Sequence, residues 1–514
     1  MKFKEYKGLD LVATGNEVLD RWKKNHAFEK SLELREGAPE FIFFEGPPSA
    51  NGMPGIHHVM ARSIKDAICR YKTQSGYKVN RRAGWDTHGL PVELGVEKML
   101  GITKEDIGTK ITVEEYNDAC RKEVMKYTAE WVNMTERVGY WVDMNDPYIT
   151  YDNRYIETLW YLLKKIYDKG LLYKGKSIQP YSPAAGTGLS THELNQPGCY
   201  RDVKDTTATA QFAVVRDEKS EFLFAEGVPA YFLAWTTTPW TLPSNTALCV
   251  GPNIDYVRVL SFNPYTGQPA LYVAAEALVG SLFNPKAAAV AFEDYKPGDK
   301  LVPYKVLDGK LKGTDLVGIR YEQLIPWFNP GEGAFKVIPG DYVTTEDGTG
   351  IVHIAPTFGA DDAKVARLAG VPGLQIVDRN GDLQAQVDLR GRFFRVEDLD
   401  PEYAAANMSP EYAEWAGRYV KNAYDAELPA DAPTLDVDIC VMLKQQNKAF
   451  KVEKHTHNYP HCWRTDKPVL YYPLNSWFIK TTSVRERMME LNEQITWKPE
   501  STGTGRFGKW LENI

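Results

Sequence analysis

Histidines, carboxylates and threonines cluster at three places in this sequence where their spacing can carry chemistry. The first runs from Gly46-Pro47-Pro48 past Asn51 to Gly55-Ile56-His57-His58. A glycine-rich turn there opens a helical pattern, and the N–H groups and dipole of a helix start attract phosphate. Bends of this kind are often purely structural; two histidines on the first turn are what point to a phosphate site. The second is Gly84-Trp85-Asp86-Thr87-His88-Gly89-Leu90-Pro91-Val92-Glu93. A buried carboxylate such as Asp86 needs a cation or several donors, although residue type alone allows a turn or capping role equally well. The third is Trp235-Thr236-Thr237-Thr238-Pro239-Trp240-Thr241-Leu242-Pro243-Ser244-Asn245; Gly348-Thr349-Gly350-Ile351-Val352-His353 and Asp361-Asp362 stand far along the chain from it. Threonine-rich runs usually serve strands, yet such hydroxyl and amide donors can orient a water and stabilise an oxyanion.

Elements must position these groups. Phe41-Ile42-Phe43-Phe44 is a continuous apolar run, the pattern of a strand buried on both faces. Met60, Ile64, Ala67, Ile68 and Tyr71 recur at helical spacing and predict one buried face. Tyr77-Lys78-Val79 resumes extended structure, which closes a strand–loop–helix–strand unit of the nucleotide-binding α/β kind. Long helices are predicted within 116–138 and 155–167. From 206 to about 421 the texture changes to short β-type runs (208–215, 230–234, 256–260, 350–354) between Gly, Pro and Asp turns. That predicts a β-rich insert of ~200 residues in the α/β scaffold.

At 514 residues the chain exceeds one hydrophobic core and calls for several domains. No apolar stretch approaches the ~18 residues that span a bilayer, and the N-terminus lacks a signal-peptide run. A cytoplasmic protein without membrane contact is expected. Six scattered cysteines with no Cys-x-x-Cys pair fit reduced thiols. The net charge of −7 does not exclude a nucleic-acid partner, because binding follows where Lys and Arg cluster.

The Gly84 to Glu93 segment resembles class I aminoacyl-tRNA synthetases of the isoleucine/valine/leucine group, in which G-W-D-x-H-G-L-P-x-E is a hallmark. The earlier turn is similar to that family's His-Ile-Gly-His signature. It departs from it as Gly55-Ile56-His57-His58, with the first and third positions exchanged, and reads as a working variant. The resemblance implies ATP with Mg2+ held by Gly46, Pro48, Asn51, Gly55, Ile56, His57 and His58. His57 and His58 would stabilise charge at the α-phosphate, Asp86 would hold the substrate ammonium, and Pro47 would line the amino-acid pocket. The third motif resembles the threonine-rich editing segment of isoleucyl enzymes; the arginine of the valyl and leucyl T-T-R-P form is absent. It implies an editing site of Thr236, Thr237, Thr238, Trp240, Thr241, Asn245, His353 and Asp362, with Asp362 binding the ammonium of a misattached valine. A Thr–His nucleophile is disfavoured because no third orienting group stands at fixed spacing.

The implied fold is a Rossmann-type catalytic domain (1–205), interrupted by a β-rich, α+β barrel-like editing domain (206–422) and resumed over 423–514. The implied partners are tRNA(Ile), isoleucine, ATP and valine, for a protein acting as a monomer. Ser182 and Ala185 stand where many relatives have zinc-binding cysteines, and His455, His457, His461 and Cys462 match no zinc spacing. No metal site is expected. Family members are much longer, and no Lys-Met-Ser-Lys-Ser loop is present. The expectation is an N-terminal portion holding the editing site and half of the activation site. A valyl enzyme, a free-standing deacylase and a non-catalytic paralogue are the alternatives.

Overall fold

The computed structural model describes residues 8–44, 46–429 and 432–514. They form two compact units: one takes the described residues up to Tyr173 together with Phe478–Ile514, the other Lys174–Trp477. Among the described residues no helix is long and apolar enough to cross a membrane.

In the first unit, helix Ile56–Gln74 begins at Gly55, as the turn chemistry predicts. Its period is right but the buried side is not the expected one. Met60, Ile64 and Tyr71 are 62%, 57% and 65% exposed, whereas Cys69 and Thr73 are buried. The inward face is used by a polar network instead. Arg70 donates to Asp66 (2.8 Å), and buried Arg81 donates to the Thr73 hydroxyl (2.8 Å). Desolvated charges need these partners, so the stripe that carries them has to face inward.

The apolar run 41–44 is not a buried strand. Phe41 N–H donates to Lys78 O (2.9 Å), beside a single parallel bridge from Glu40 to Lys78. The ladder ends there, and Ile42 and Phe44 stand largely in solvent. Among the described residues no strand covers their faces. The parallel strands that do form are Arg82–Trp85 and Asp143–Ile149. The long helix foreseen over 116–138 is two helices, Val113–Val124 and Thr128–Arg137. Between them Tyr127 N–H turns aside to Ala50 O (3.0 Å), fastening the second helix to the glycine-rich turn. Helix Asn153–Asp168 follows, its start capped by the Asp152 carboxylate.

The second unit holds a mixed sheet of ten strands among the described residues. Its hub is Ala230–Thr236, almost continuously buried, as a central strand must be. One edge pairs antiparallel with Tyr200–Ala213 along its length. The other edge is shared: Ala230–Phe232 run parallel to Leu271–Val273, and Trp235 pairs in parallel with Val352. Phe212, Phe232, Leu248, Tyr256, Leu271 and Val273 fill the core on this hub. A long antiparallel ribbon joins Tyr200–Ala213 to Ala449–Pro460. Gly350 admits strand Ile351–Ile354 to the sheet. Its φ is +74°, and a Cβ there would lie 2.4 Å from the Ala275 Cβ, so both backbone sign and space demand glycine.

Candidate functional site

The parallel pairing of Trp235 with Val352 sets the carboxy ends of two strands side by side. Thr236 to Thr238 leave one strand there; His353 and Ala355 leave the other. Ligands in α/β sheets characteristically bind at such ends. Thr236 Oγ1 accepts the Thr238 N–H (3.1 Å), which curls the chain into the short turn Pro239–Ser244. The Thr238 hydroxyl lies 3.4 Å from those of both Thr236 and Thr241. The Thr241 hydroxyl donates to Thr238 O (2.8 Å) and lies 3.1 Å from His353 Nε2.

These distances fix proton positions. A carbonyl only accepts, so the Thr241 proton is committed to the backbone, and His353 Nε2–H must donate to Thr241 Oγ1. His353 therefore does not pull a proton from Thr241. Among the described residues its Nδ1 is buried with no hydrogen-bond partner, and none of them stands behind it as an orienting group. Burial also presses its pKa down to about 4, which keeps the ring neutral. The geometry lacks the ordered chain of a nucleophile triad. It offers hydroxyl groups held in one orientation.

Asp362 belongs to the first turn of helix Ala360–Leu368 and accepts the Ala355 N–H (2.8 Å). The carboxylate is thereby fastened two residues from His353. Burial raises its pKa to about 6, against the Ala355 hydrogen bond that lowers it. Its carboxyl carbon crowds Gly359, where a Cβ would sit at 2.7 Å. Trp240 is buried, edge-on to Phe358 at 5.0 Å. Asn245 differs from its expected part as a donor to substrate. Its amide donates to Ala247 O (2.9 Å) and Ile354 O (3.4 Å), and its carbonyl accepts the Tyr321 hydroxyl (2.7 Å). With every polar atom engaged, Asn245 pins the strand ends. Thr237 and Thr238 are the partly exposed threonines of the segment.

Sequence reasoning missed Tyr321 and Asp436, whose carboxylate accepts the Trp240 N–H (2.9 Å). Phe358, which meets Trp240 edge-on, was likewise given no part.

In the first unit, His58 Nδ1 accepts the Gly55 N–H (2.9 Å) and closes the helix start. The proton of neutral His58 is thus on Nε2. Burial, then His57, Arg62 and Lys65, lower the His58 pKa and favour that neutral form. The His57 and His58 rings lie 3.7 Å apart, and His58 rests 4.5 Å from the Trp131 ring. Trp131 Nε1 in turn donates to Gly52 O (2.8 Å), so the turn is braced by a residue without any motif signal. Asp86 N–H donates to Pro48 O (3.0 Å), which draws the second motif against the Pro47-Pro48 turn. The Asp86 carboxylate accepts only a long bond from His88 N (3.3 Å) among the described residues. It faces an open groove of about 440 Å3 with His88, Thr150, Tyr155, Leu159 and Trp160. Room for an ammonium remains. Ile56 and His57 are exposed, and Asn51, Pro47 and Pro48 are partly buried.

The residues weighed for zinc lie in the second unit. Ser182 Oγ accepts the Ala185 N–H (3.2 Å). His455, His457 and His461 follow one another along one face of strand Ala449–Pro460 and its end, as period two requires. Among the described residues no group of three or more His, Cys, Asp or Glu is arranged to hold a metal.

The chain thus carries a parallel α/β unit with a histidine-bearing helix start and a β-rich unit with a threonine–histidine site. The chain belongs to the class I tRNA synthetases of the I, L, M and V group, whose family model matches residues 17–514. It is 68% identical over 514 residues to an isoleucine–tRNA ligase of Bacteroides fragilis, and 65% identical over 515 residues to one of Porphyromonas gingivalis. Each alignment covers 100% of this chain and 45% of the relative, so the chain spans less than half the length of these proteins. Among solved structures, the P. knowlesi cytosolic leucyl-tRNA synthetase editing domain overlaps 50% of this chain and 98% of its own, at 12% identity and a TM-score of 0.31. That overlap is too loose to carry function.

Proposed function

We propose that this chain is the part of a cytoplasmic isoleucine–tRNA ligase that removes valine from mischarged tRNA(Ile) and carries the ATP-facing turn of the activation site. The editing function is assigned to 206–422, flanked by catalytic-domain segments 1–205 and 423–514. The observation that carries the reading is the contact of Thr238 with Thr241 and of Thr241 with His353 at adjacent strand ends, with Asp362 anchored to Ala355 N–H.

The chemistry follows from the proton positions. Asp362, ionised near neutral pH, pairs with the valyl ammonium. A water oxygen bonds to the ester carbonyl carbon, and the bond to the ribose oxygen breaks. That oxygen takes up the proton that the attacking water gives up, leaving free valine and tRNA. Thr237 and Thr238 hydroxyls donate to the developing oxyanion or hold the water, and His353 holds Thr241 in place. Such a second site is useful because one methylene changes apolar binding by only ~1–3 kcal/mol, a figure already known for this enzyme class.

At the other site, Asp86 would take the ammonium of isoleucine beside Pro47. The Gly55 to His58 helix start would face the phosphates of ATP, which enters with Mg2+. The Nε2–H of His58 suits a phosphate oxygen. Mg2+ would supply charge neutralisation on those phosphates.

Hydrolysis of valyl-tRNA(Ile) by the 514-residue chain tests the editing reading. Wild type accelerates release of valine, and Asp362→Ala lowers kcat/KM by about 100-fold, the usual scale for losing a charged anchor or oxyanion donor. Equal rates for the two proteins contradict it.

A further inference from the structure

Trp240 N–H is the first donor of the turn that carries Thr241, and its acceptor comes from far along the chain. Asp436, on helix Leu435–Gln445, accepts it through Oδ1 at 2.9 Å. The Asp436 side chain is 3% exposed. Its second oxygen lies 3.7 Å from Lys421 Nζ, which also donates to Asp205 Oδ2 at 3.0 Å. His457 Nε2 meets the same Asp205 oxygen at 3.2 Å, and the Lys421 ammonium stands over the Tyr459 ring at 4.8 Å. Asp205 and His457 belong to the paired strands Tyr200–Ala213 and Ala449–Pro460. Burial works against the Lys421 charge, but Asp436, Tyr459 and Asp205 outweigh it and hold the ammonium charged. The result is a chain of charged groups running from the long ribbon to one backbone N–H of the threonine turn.

We infer that Asp436, backed by Lys421, is a positioning residue for deacylation: it holds the Trp240 N–H and so fixes the turn from which Thr238 meets Thr241 and Thr241 meets His353. The inference rests on the editing reading above. Buried ion pairs contribute little net stability compared with apolar packing of the same shape, so stability alone gives weak reason for this arrangement. A fixed hydrogen-bond acceptor does something that packing cannot. With Thr238 and Thr241 hydroxyls at 3.4 Å and Thr241 at 3.1 Å from His353, a shift of the turn by an ångström would break the set. Misplacements of that size cost about 100-fold in rate.

Three substitutions separate position from charge and from stability. Asp436→Asn keeps an acceptor oxygen in place and loses the charge. Asp436→Glu keeps the charge and moves the acceptor by one methylene. Asp436→Ala removes both. For valyl-tRNA(Ile) hydrolysis by the whole 514-residue chain, Asp436→Glu and Asp436→Ala lower kcat about 100-fold, and KM stays near wild type. Asp436→Asn stays within about threefold of wild-type kcat, well inside that loss. Hydrogen exchange at the peptide containing Trp240 quickens in Glu and Ala and not in Asn. If Asp436→Ala fails to fold, the Glu and Asn pair decides. Wild-type kcat in Asp436→Glu, or rates that follow the melting temperatures of the three variants, overturns the inference. A wild-type chain without hydrolysis above the protein-free rate defeats the editing reading itself, which separates that failure from this one.

Discussion

Asp362 accepts the Ala355 N–H and makes no ion pair among the described residues, and burial holds its carboxyl up to about 6. The ionised form is the one that pairs with an ammonium, so activity should be lost as pH falls through that value. His353, held near 4, stays neutral across the same window and adds no limb of its own. After subtraction of spontaneous hydrolysis, kcat/KM should rise with pH to a plateau with a midpoint near 6. The kcat limb should lie lower, because a bound ammonium stabilises the carboxylate. Asp362→Asn should flatten both. A kcat/KM profile that stays level across this range in wild type contradicts the assignment. The threonines, His353 and Asp362 were named from the sequence through resemblance to a family's motifs; local spacing alone does not tie His353 and Asp362 to the threonine segment. Asp436 was not named, since 196 residues separate it from Trp240 and nothing near either one signals the other. Asn245 was expected to donate to substrate, but its carbonyl accepts the hydroxyl of Tyr321, 76 residues along the chain, a partner that no local pattern signals.

The segment between strand Ile351–Ile354 and helix Ala360–Leu368 shows how an element aims a side chain. Gly359 lies flush against Asp362, and an added Cβ would meet the Asp362 side chain, its carboxyl carbon at 2.7 Å and its Cβ at 3.1 Å, before any backbone atom. Gly359→Ala should therefore leave the melting temperature within a few degrees while displacing the carboxylate, and kcat/KM for valyl-tRNA should fall about 10-fold or more. A variant as active as wild type would show that Asp362 is free to move without consequence. Elements differ in how far the sequence reveals them. Strand Ala230–Thr236 and its neighbours Tyr200–Ala213 and Ile351–Ile354 coincide with predicted β-type runs, whereas its neighbour Pro269–Ala275 was not foreseen. Helix Ile56–Gln74 was predicted by period, but the period cannot say which face turns inward, and the Arg81, Thr73 and Asp66 network decided that. The 41–44 run was read as a buried strand on apolarity alone, and apolarity does not supply a neighbour to pair with.

At the scale of the molecule, the chain corresponds to 45% of its isoleucine–tRNA ligase relatives. Activation is best measured on a protein of their full length. There, isoleucine-dependent pyrophosphate exchange should exceed the valine-dependent rate, and Asp86→Ala should abolish both. A strong preference for valine would contradict the isoleucyl reading. Editing can be asked of this chain directly, because Thr238, Thr241, His353 and Asp362 lie within the single compact unit Lys174–Trp477. The most direct test compares hydrolysis of valyl-tRNA(Ile) and isoleucyl-tRNA(Ile) by the same preparation under single-turnover conditions. The account predicts that valine is released at least about 10-fold faster, the discrimination that one methylene can supply, and that Asp362→Ala removes the difference. Equal release of both amino acids, or a valine rate no greater than without protein, would contradict it.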